Sequence, residues 1–244
     1  METFFTTSEK IEHIIKSFHL TKTLFVSSVI IGEPYTGKKS LARHMFPNAI
    51  HVCGENQETV HEALEHHNEL IISNFEKLSN PSALNFKNKR IIATADFMGN
   101  SKLIDNLFAF IYTMPPLKER PEDVRHLSTL FAKEACDTFM VDENDIDIRA
   151  LPLELSMNTK SLKKSIYLDI TKHSMQKEDI QEVIYAYLSK NLDGNDGYRE
   201  HLGLYEKPLI QAGLKKYGSQ LQLSQVLGIN RNTLRKKIHE HNIY

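Results

Sequence analysis

The stretch Gly32-Glu-Pro-Tyr-Thr-Gly-Lys38 sets two glycines and a lysine in the order GxxxxGK, directly after the strand-like run Val29-Ile-Ile31. A helix is predicted next, over Ser40–Met45. The chemistry of this spacing is phosphate binding: backbone N–H groups and a helix N-terminus cradle phosphate oxygens, and the lysine reaches toward the terminal ones. Gly32, Thr36, Gly37, Lys38, Lys39 and Ser40 are the candidate nucleotide-binding residues, with ATP or ADP as the candidate cofactor. Lys39 stands where Ser or Thr normally helps hold Mg²⁺. A second set, Arg231, Asn232, Thr233, Arg235, Lys236 and Lys237, has nucleic-acid chemistry. Arg and Asn can contact base edges in bidentate fashion, whereas Lys and Thr hold phosphates.

The first set needs a sheet to position it. Through about Pro116 the chain alternates β-rich runs (Phe25–Ile31, Leu70–Ile72, Arg90–Thr94) with helical stretches, the pattern of a parallel sheet covered by helices. Residues 117–190 read as helical; in Asp179–Leu188 the positions Ile180, Val183, Ile184, Tyr187 and Leu188 recur at one-face helical spacing. Residues 191–203 open with Asn191-Leu-Asp-Gly-Asn-Asp-Gly197 and read as a linker. The fold class is therefore α/β, with an all-α end over 204–244.

That end positions the second set. A helix is predicted over Glu206–Tyr217, stopped by Gly218. A short helix follows, with Leu223, Val226 and Leu227 inward. Gly228 turns the chain, and Asn230 caps a third helix whose Leu234 and Ile238 face the core. Helix, glycine turn, helix is the helix-turn-helix arrangement, and it leaves the polar residues of the third helix to solvent.

Composition narrows the alternatives. The 244 residues are 41% hydrophobic and 25% charged, a globular balance, and no apolar run approaches the ~18 residues that span a bilayer. The start lacks a secretory leader pattern, so a cytoplasmic protein without membrane partners is expected. The net charge is −1, yet from Glu206 onward seven bases face two acids, the footprint of one localised polyanion-binding module. Cys53 and Cys136 are too few for a disulfide framework or a zinc site. His61-Glu-Ala-Leu-Glu-His66 is spaced HExxxH rather than HExxH and reads as a solvated helix face. Neither a catalytic residue nor a metal ligand is expected.

Four segments resemble a known family. Gly228-Ile-Asn-Arg-Asn-Thr-Leu-Arg-Lys-Lys237 is similar to the Fis-type helix-turn-helix that ends bacterial enhancer-binding proteins of the NtrC family. Gly32–Arg43 is similar to the phosphate loop of that family's AAA+ domain, and Met114-Pro-Pro-Leu-Lys-Glu-Arg-Pro-Glu-Asp-Val124 resembles the start of its helical lid. Asn158-Thr-Lys-Ser-Leu-Lys163 resembles the nucleotide-sensing segment, with Lys160 in place of arginine. The resemblance implies a shortened AAA+-like core over 1–116, a helical lid and connecting helix over 117–190, and a homodimer that binds inverted repeats in double-stranded DNA. RNA polymerase is the further partner it implies.

The departures from the family are specific. Tyr35 stands where the family has glycine. Leu70-Ile-Ile72 runs into Ser73-Asn74 instead of the acidic pair that holds Mg²⁺ and polarises water. Asp96 replaces a water-sensing asparagine, and Phe110 lies where an arginine finger belongs. Leu223 replaces an alanine and Gln222 a basic residue in the second helix of the helix-turn-helix. The loop that grips the nitrogen-type alternative sigma factor has no counterpart, and no phosphoacceptor domain is expected ahead of Gly32. The expectation is a sequence-specific DNA-binding transcription regulator on a degenerate, non-hydrolysing AAA+ scaffold. The alternatives are an ATP-hydrolysing activator of RNA polymerase holding that sigma factor, and an architectural DNA-bending protein.

Overall fold

Strand β1 (Ser28–Ile31) is buried along its whole length, as an all-parallel sheet covered on both faces requires. In the computed structural model, which describes residues 4–20 and 24–243, β1 pairs in parallel with β4 (Arg90–Ala95) and β5 (Phe110–Thr113). Adding β3 (Glu69–Ser73) and β2 (Ile50–Cys53) gives the order β2-β3-β4-β1-β5. Ile31 lies opposite Ala95 and Thr113, so the carboxyl ends of β4, β1 and β5 are level where the phosphate loop begins.

Side-chain alternation divides the core into two layers. Ile30, Ile71 and Ile92 face α1 (Glu9–Leu20) and α2 (Lys38–Met45), which bury Ile11, Ile14, Phe18, Leu41 and Ala42 against them. Val29, Ile31, Leu70, Ile72, Ile91 and Ala93 face the opposite way, under α3 (Gln57–His66) and α4 (Ser101–Leu107). On that side Phe75 meets Phe108 edge-on at 5.0 Å between ring centroids, and Phe86 closes the cluster. Each such aliphatic or aromatic side chain taken from water contributes about 1.5–3 kcal/mol before chain entropy is counted.

A third core joins α5 (Pro121–Phe139) to α6 (Asn158–Ser174) through Val124, Ala132, Ala135, Cys136, Leu162, Ile166 and Ile170. Proline at the first helical position starts α5, and Met140, in the left-handed region at φ 54°, ends it. Burial pushes the Cys136 thiol pKa up, with the Glu143 charge adding to it; both cysteines are free.

The chain forms two compact units, Met1–Ser174 and Met175–Tyr244. The second holds α7 (Lys177–Asn191), α8 (Gly197–Tyr217), α9 (Gln220–Val226) and α10 (Arg231–Glu240). Two expected boundaries are corrected. The division falls before α7, so the connecting helix belongs with the C-terminal unit. The expected linker 191–203 shrinks to five residues, because Gly197 already opens α8 and Tyr198–Gly203 continue it. Asp196 at its N-cap and the helix formers Arg199, Glu200 and Leu202 outweigh the turn composition that precedes them.

The strand expected over Phe25–Ile31 starts at Ser28, leaving Phe25 exposed. Strands β2 and β5, four residues each, went unread in the sequence. On α3, Val60, Ala63 and Leu64 are buried while His61, Glu62, Glu65 and His66 are exposed, so the HExxxH run is the solvated face expected of it.

Candidate phosphate loop and nucleic-acid interface

The loop between β1 and α2 is built from residues that only this backbone path demands. A Cβ on Gly32 would lie 2.6 Å from the Met114 carbonyl oxygen, so the lid entrance and the loop approach each other only with glycine there. Gly37 caps α2 at φ 97°, in the left-handed region. The first N–H groups of α2 have no acceptor within the helix. The backbone from Gly37 to Ser40 therefore suits a phosphate group, and the Lys39 and Ser40 side chains are exposed beside it.

The side chains are committed elsewhere. Thr36 is buried and donates its hydroxyl to the Glu33 carbonyl at 3.0 Å. Lys38 is also buried, and its ammonium donates to the carbonyls of Gly32 and Glu33 at 2.7 Å each and to Asp96 Oδ1 at 2.9 Å. Three donors meet three acceptors, and nothing of the ammonium is left for a phosphate. Asp96 sits just past β4; its own N–H donates to Glu76 Oε2 at 3.3 Å.

Tyr35 takes up φ 61°, a conformation that costs a residue with a Cβ roughly 1–2 kcal/mol. The lid holds it there. Its carbonyl accepts from the Thr159 N–H at 3.1 Å and from the Thr159 hydroxyl at 2.7 Å. Lys160 lies 4.8 Å from the Tyr35 ring centroid and donates to the phenol oxygen at 3.2 Å. Lys160 of α6 thus meets a tyrosine of the phosphate loop. Asn158 bridges the same parts, donating to Glu33 Oε2 and to the Pro34 carbonyl at 3.0 Å each while accepting from the Leu117 N–H at 2.7 Å.

Arg120 completes the latch. It is buried, donates to the Thr36 carbonyl at 2.7 Å, and pairs with the equally buried Asp123 at 3.3 Å. Desolvation by burial lowers the Arg120 pKa, and the charge and hydrogen bond of Asp123 oppose that shift. Asp123 also accepts from the Thr6 hydroxyl and the Thr7 N–H, both at 2.9 Å, tying the segment before α1 to the lid.

At the end of β3, Ser73 is buried and donates to the Val52 carbonyl at 3.3 Å, and Asn74 turns toward Cys53 Sγ at 3.5 Å. Phe110 begins β5 with its side chain half-buried. Among the described residues no three His, Cys, Asp or Glu side chains converge as metal ligands. The backbone fits a phosphate group, and the end of β3 carries Ser73 and Asn74 without a carboxylate.

The second candidate set lies on α10. Asn230 accepts from the Asn232 N–H at 2.9 Å and caps the helix; Gly228, at φ 65°, makes the preceding turn. Leu234 is fully buried against Ile210, Leu223 and Ile243. This directs Arg231, Asn232, Thr233, Arg235 and Lys236 to solvent as one polar surface. Lys237 departs from the expectation. It is half-buried and paired with Glu206 of α8, which also takes His241 Nε2 at 3.2 Å. The Lys237 hydrogen bond is the largest of the influences that hold the Glu206 carboxyl below its ordinary pKa. A Cβ on Gly213 would lie 2.3 Å from Leu223 Cδ1, so the glycine on α8 makes room for the leucine that replaces alanine in α9.

Sequence reading singled out Asp96 and Lys160 as departures but not the partners they take up. Arg120, Asp123 and Glu206 went unnoticed as well. Their partners lie 31 to 117 residues distant, except for the Arg120–Asp123 pair, whose three-residue spacing was the one signal available.

Residues 202–241 match the family model described as "Bacterial regulatory protein, Fis family". Among solved structures, the chain is similar to NtrX from Brucella abortus in complex with ATP, at 15% identity and a TM-score of 0.55, covering 100% of this chain and 70% of that one. NtrX from the same organism in complex with ADP gives 15% identity and a TM-score of 0.53, over 98% and 70%. No curated protein matches the chain. At this identity the likeness to NtrX is one of fold. With the Fis-family match it bears out the architecture that the resemblance implied: an AAA+-type α/β fold followed by a Fis-type helix-turn-helix. Among the described residues no helix is long and apolar enough to cross a membrane.

Proposed function

We propose that this protein, an AAA+-type fold carrying a Fis-type helix-turn-helix, is a sequence-specific transcription regulator that binds double-stranded DNA without hydrolysing ATP. The observation that carries the second half of this reading is Lys38. Its ammonium is fully bonded to Gly32, Glu33 and Asp96, and the strand end that would carry the acidic pair reads Ser73-Asn74. A nucleotide that enters the loop has to displace a carboxylate 2.9 Å from the lysine, so its binding is weak, and the end of β3 offers it no acidic pair.

The first half rests on α10. On this reading Arg231, Asn232 and Arg235 read base edges, and Thr233 and Lys236 hold phosphates; their exposure on α10 supports it. Lys237 supports the helix through Glu206 instead. The regulator acts as a homodimer on inverted repeats. Ile180, Val183, Ile184 and Tyr187 form one stripe of α7 and are 36–54% exposed, an apolar face suited to a two-fold copy of itself.

A DNA-stimulated phosphate-release assay with a Lys38→Ala control tests the reading. The expected result is no turnover above that of the control. Turnover that depends on Lys38 overturns it in favour of an ATP-driven activator.

A further inference from the structure

A cavity of about 600 Å³ runs along α5 and α6 on the flank of the lid, outside the phosphate loop except at Tyr35. Its walls are aromatic: Tyr35, Phe131, Phe139 and Tyr167. Its charged groups are Lys160, Lys163 and Lys164, and no acidic side chain lines it. The volume lies in the range of small-molecule sites. Lys38 and the α2 N-terminus do not line it, so it is not the phosphate cradle.

The lysines differ in what they are free to do. Lys163 is spoken for: it pairs with Glu134 at 2.6 Å, and its ammonium sits 5.1 Å from the Tyr167 ring centroid and 5.5 Å from that of Phe131. Lys164 is exposed and has no carboxylate partner among the described residues. Lys160 donates to the Tyr35 phenol oxygen, lies near its ring and has no carboxylate partner among the described residues. Two uncompensated cations thus border an aromatic trough.

We propose that this cavity binds a small aromatic anion, a planar ring system bearing one carboxylate or sulfonate. The rings stack on Tyr35, Phe131 and Tyr167, where offset or edge contacts add to apolar burial. Lys160 and Lys164 take the acid group. A cation is repelled by the same lysines, and a neutral ring forgoes their attraction. The strained Tyr35 backbone belongs to this cavity and to the phosphate loop alike, so occupancy bears directly on the Tyr35–Thr159 contact that latches loop to lid.

The test uses the full chain and two probes sharing one ring system, 8-anilinonaphthalene-1-sulfonate and neutral N-phenyl-1-naphthylamine, titrated by calorimetry with and without excess ATP. The sulfonate is expected to bind at least tenfold more tightly than the neutral probe and to stay bound when ATP is added. The double variant Lys160→Gln/Lys164→Gln, checked for an unchanged circular-dichroism melt, is expected to lose at least tenfold in sulfonate affinity and nothing for the neutral probe. Equal affinities, an unaffected double variant, or one-for-one displacement by ATP each overturns the proposal. Displacement would identify the cavity as part of a nucleotide site, and that result leaves the DNA-binding reading untouched.

Discussion

Asp96 fixes what the phosphate-loop lysine can do. In a partly exposed setting its charge lowers the gain that an incoming phosphate draws from Lys38. Replacing Asp96 with Asn keeps the shape and removes the charge. About tenfold tighter binding of a fluorescent ATP analogue is expected in that variant, measured by anisotropy against Lys38→Ala as the floor. An unchanged or weakened affinity would show that Asp96 does not block the loop. Glu206 supplies a pH prediction. Its hydrogen bond from Lys237, and the further one from His241, lower its folded-state pKa below the ordinary 4.5. The stability it contributes is therefore complete above 4.5 and is lost as the pH falls through the folded value. The acid limb of a melting-temperature profile is expected to flatten in Glu206→Gln relative to the native chain. Sequence reading found Lys38 and Asp96 by their place in motifs, but their pairing arises from the order of β1 and β4 in the sheet and has no signature in spacing.

Among the elements, α10 was the most legible. Gly228, Asn230, Leu234 and Ile238 each announced a turn, a cap or a buried face, and local rules of that kind act within a few residues. Strands β2 and β5 were illegible because four residues give almost no period, and β2 interrupts its apolar run with His51. Burial, followed by the charges of Arg43 and Lys39, lowers the His51 pKa. The start of α8 was missed because an Asn/Asp/Gly-rich run is equally good as a linker and as a helix N-terminus. Two predictions belong at this scale. Leu234→Ala empties the centre of the helix-turn-helix core and is expected to destabilise that unit by about 2–5 kcal/mol, read by thermal unfolding. Placing Glu at Val183 and Tyr187 charges the exposed stripe of α7 and is expected to yield a monomer in light scattering; a dimer of undiminished affinity contradicts the role given to α7.

At the scale of the whole molecule, the chain carries first a unit whose phosphate loop is bonded to its own lid and then a unit with a Fis-type helix-turn-helix and a basic α10. The fold class and the order of the parts were readable from motifs, because glycine turns and apolar runs encode topology locally. The latch was not, since Asn158, Thr159 and Arg120 meet the loop only once the lid is folded onto it. In the proposed DNA complex, phosphate contacts would make affinity salt-dependent, whereas base contacts by Arg235 and Asn232 would separate one sequence from another. The most direct test is competition between a selected duplex and random DNA for the full chain at one fixed salt concentration, by fluorescence anisotropy. A preference of at least a thousandfold for the selected site is expected, with about 1–3 kcal/mol of it lost in Arg235→Ala. Equal affinity for both duplexes, or a preference that Arg235→Ala leaves intact, would contradict the account.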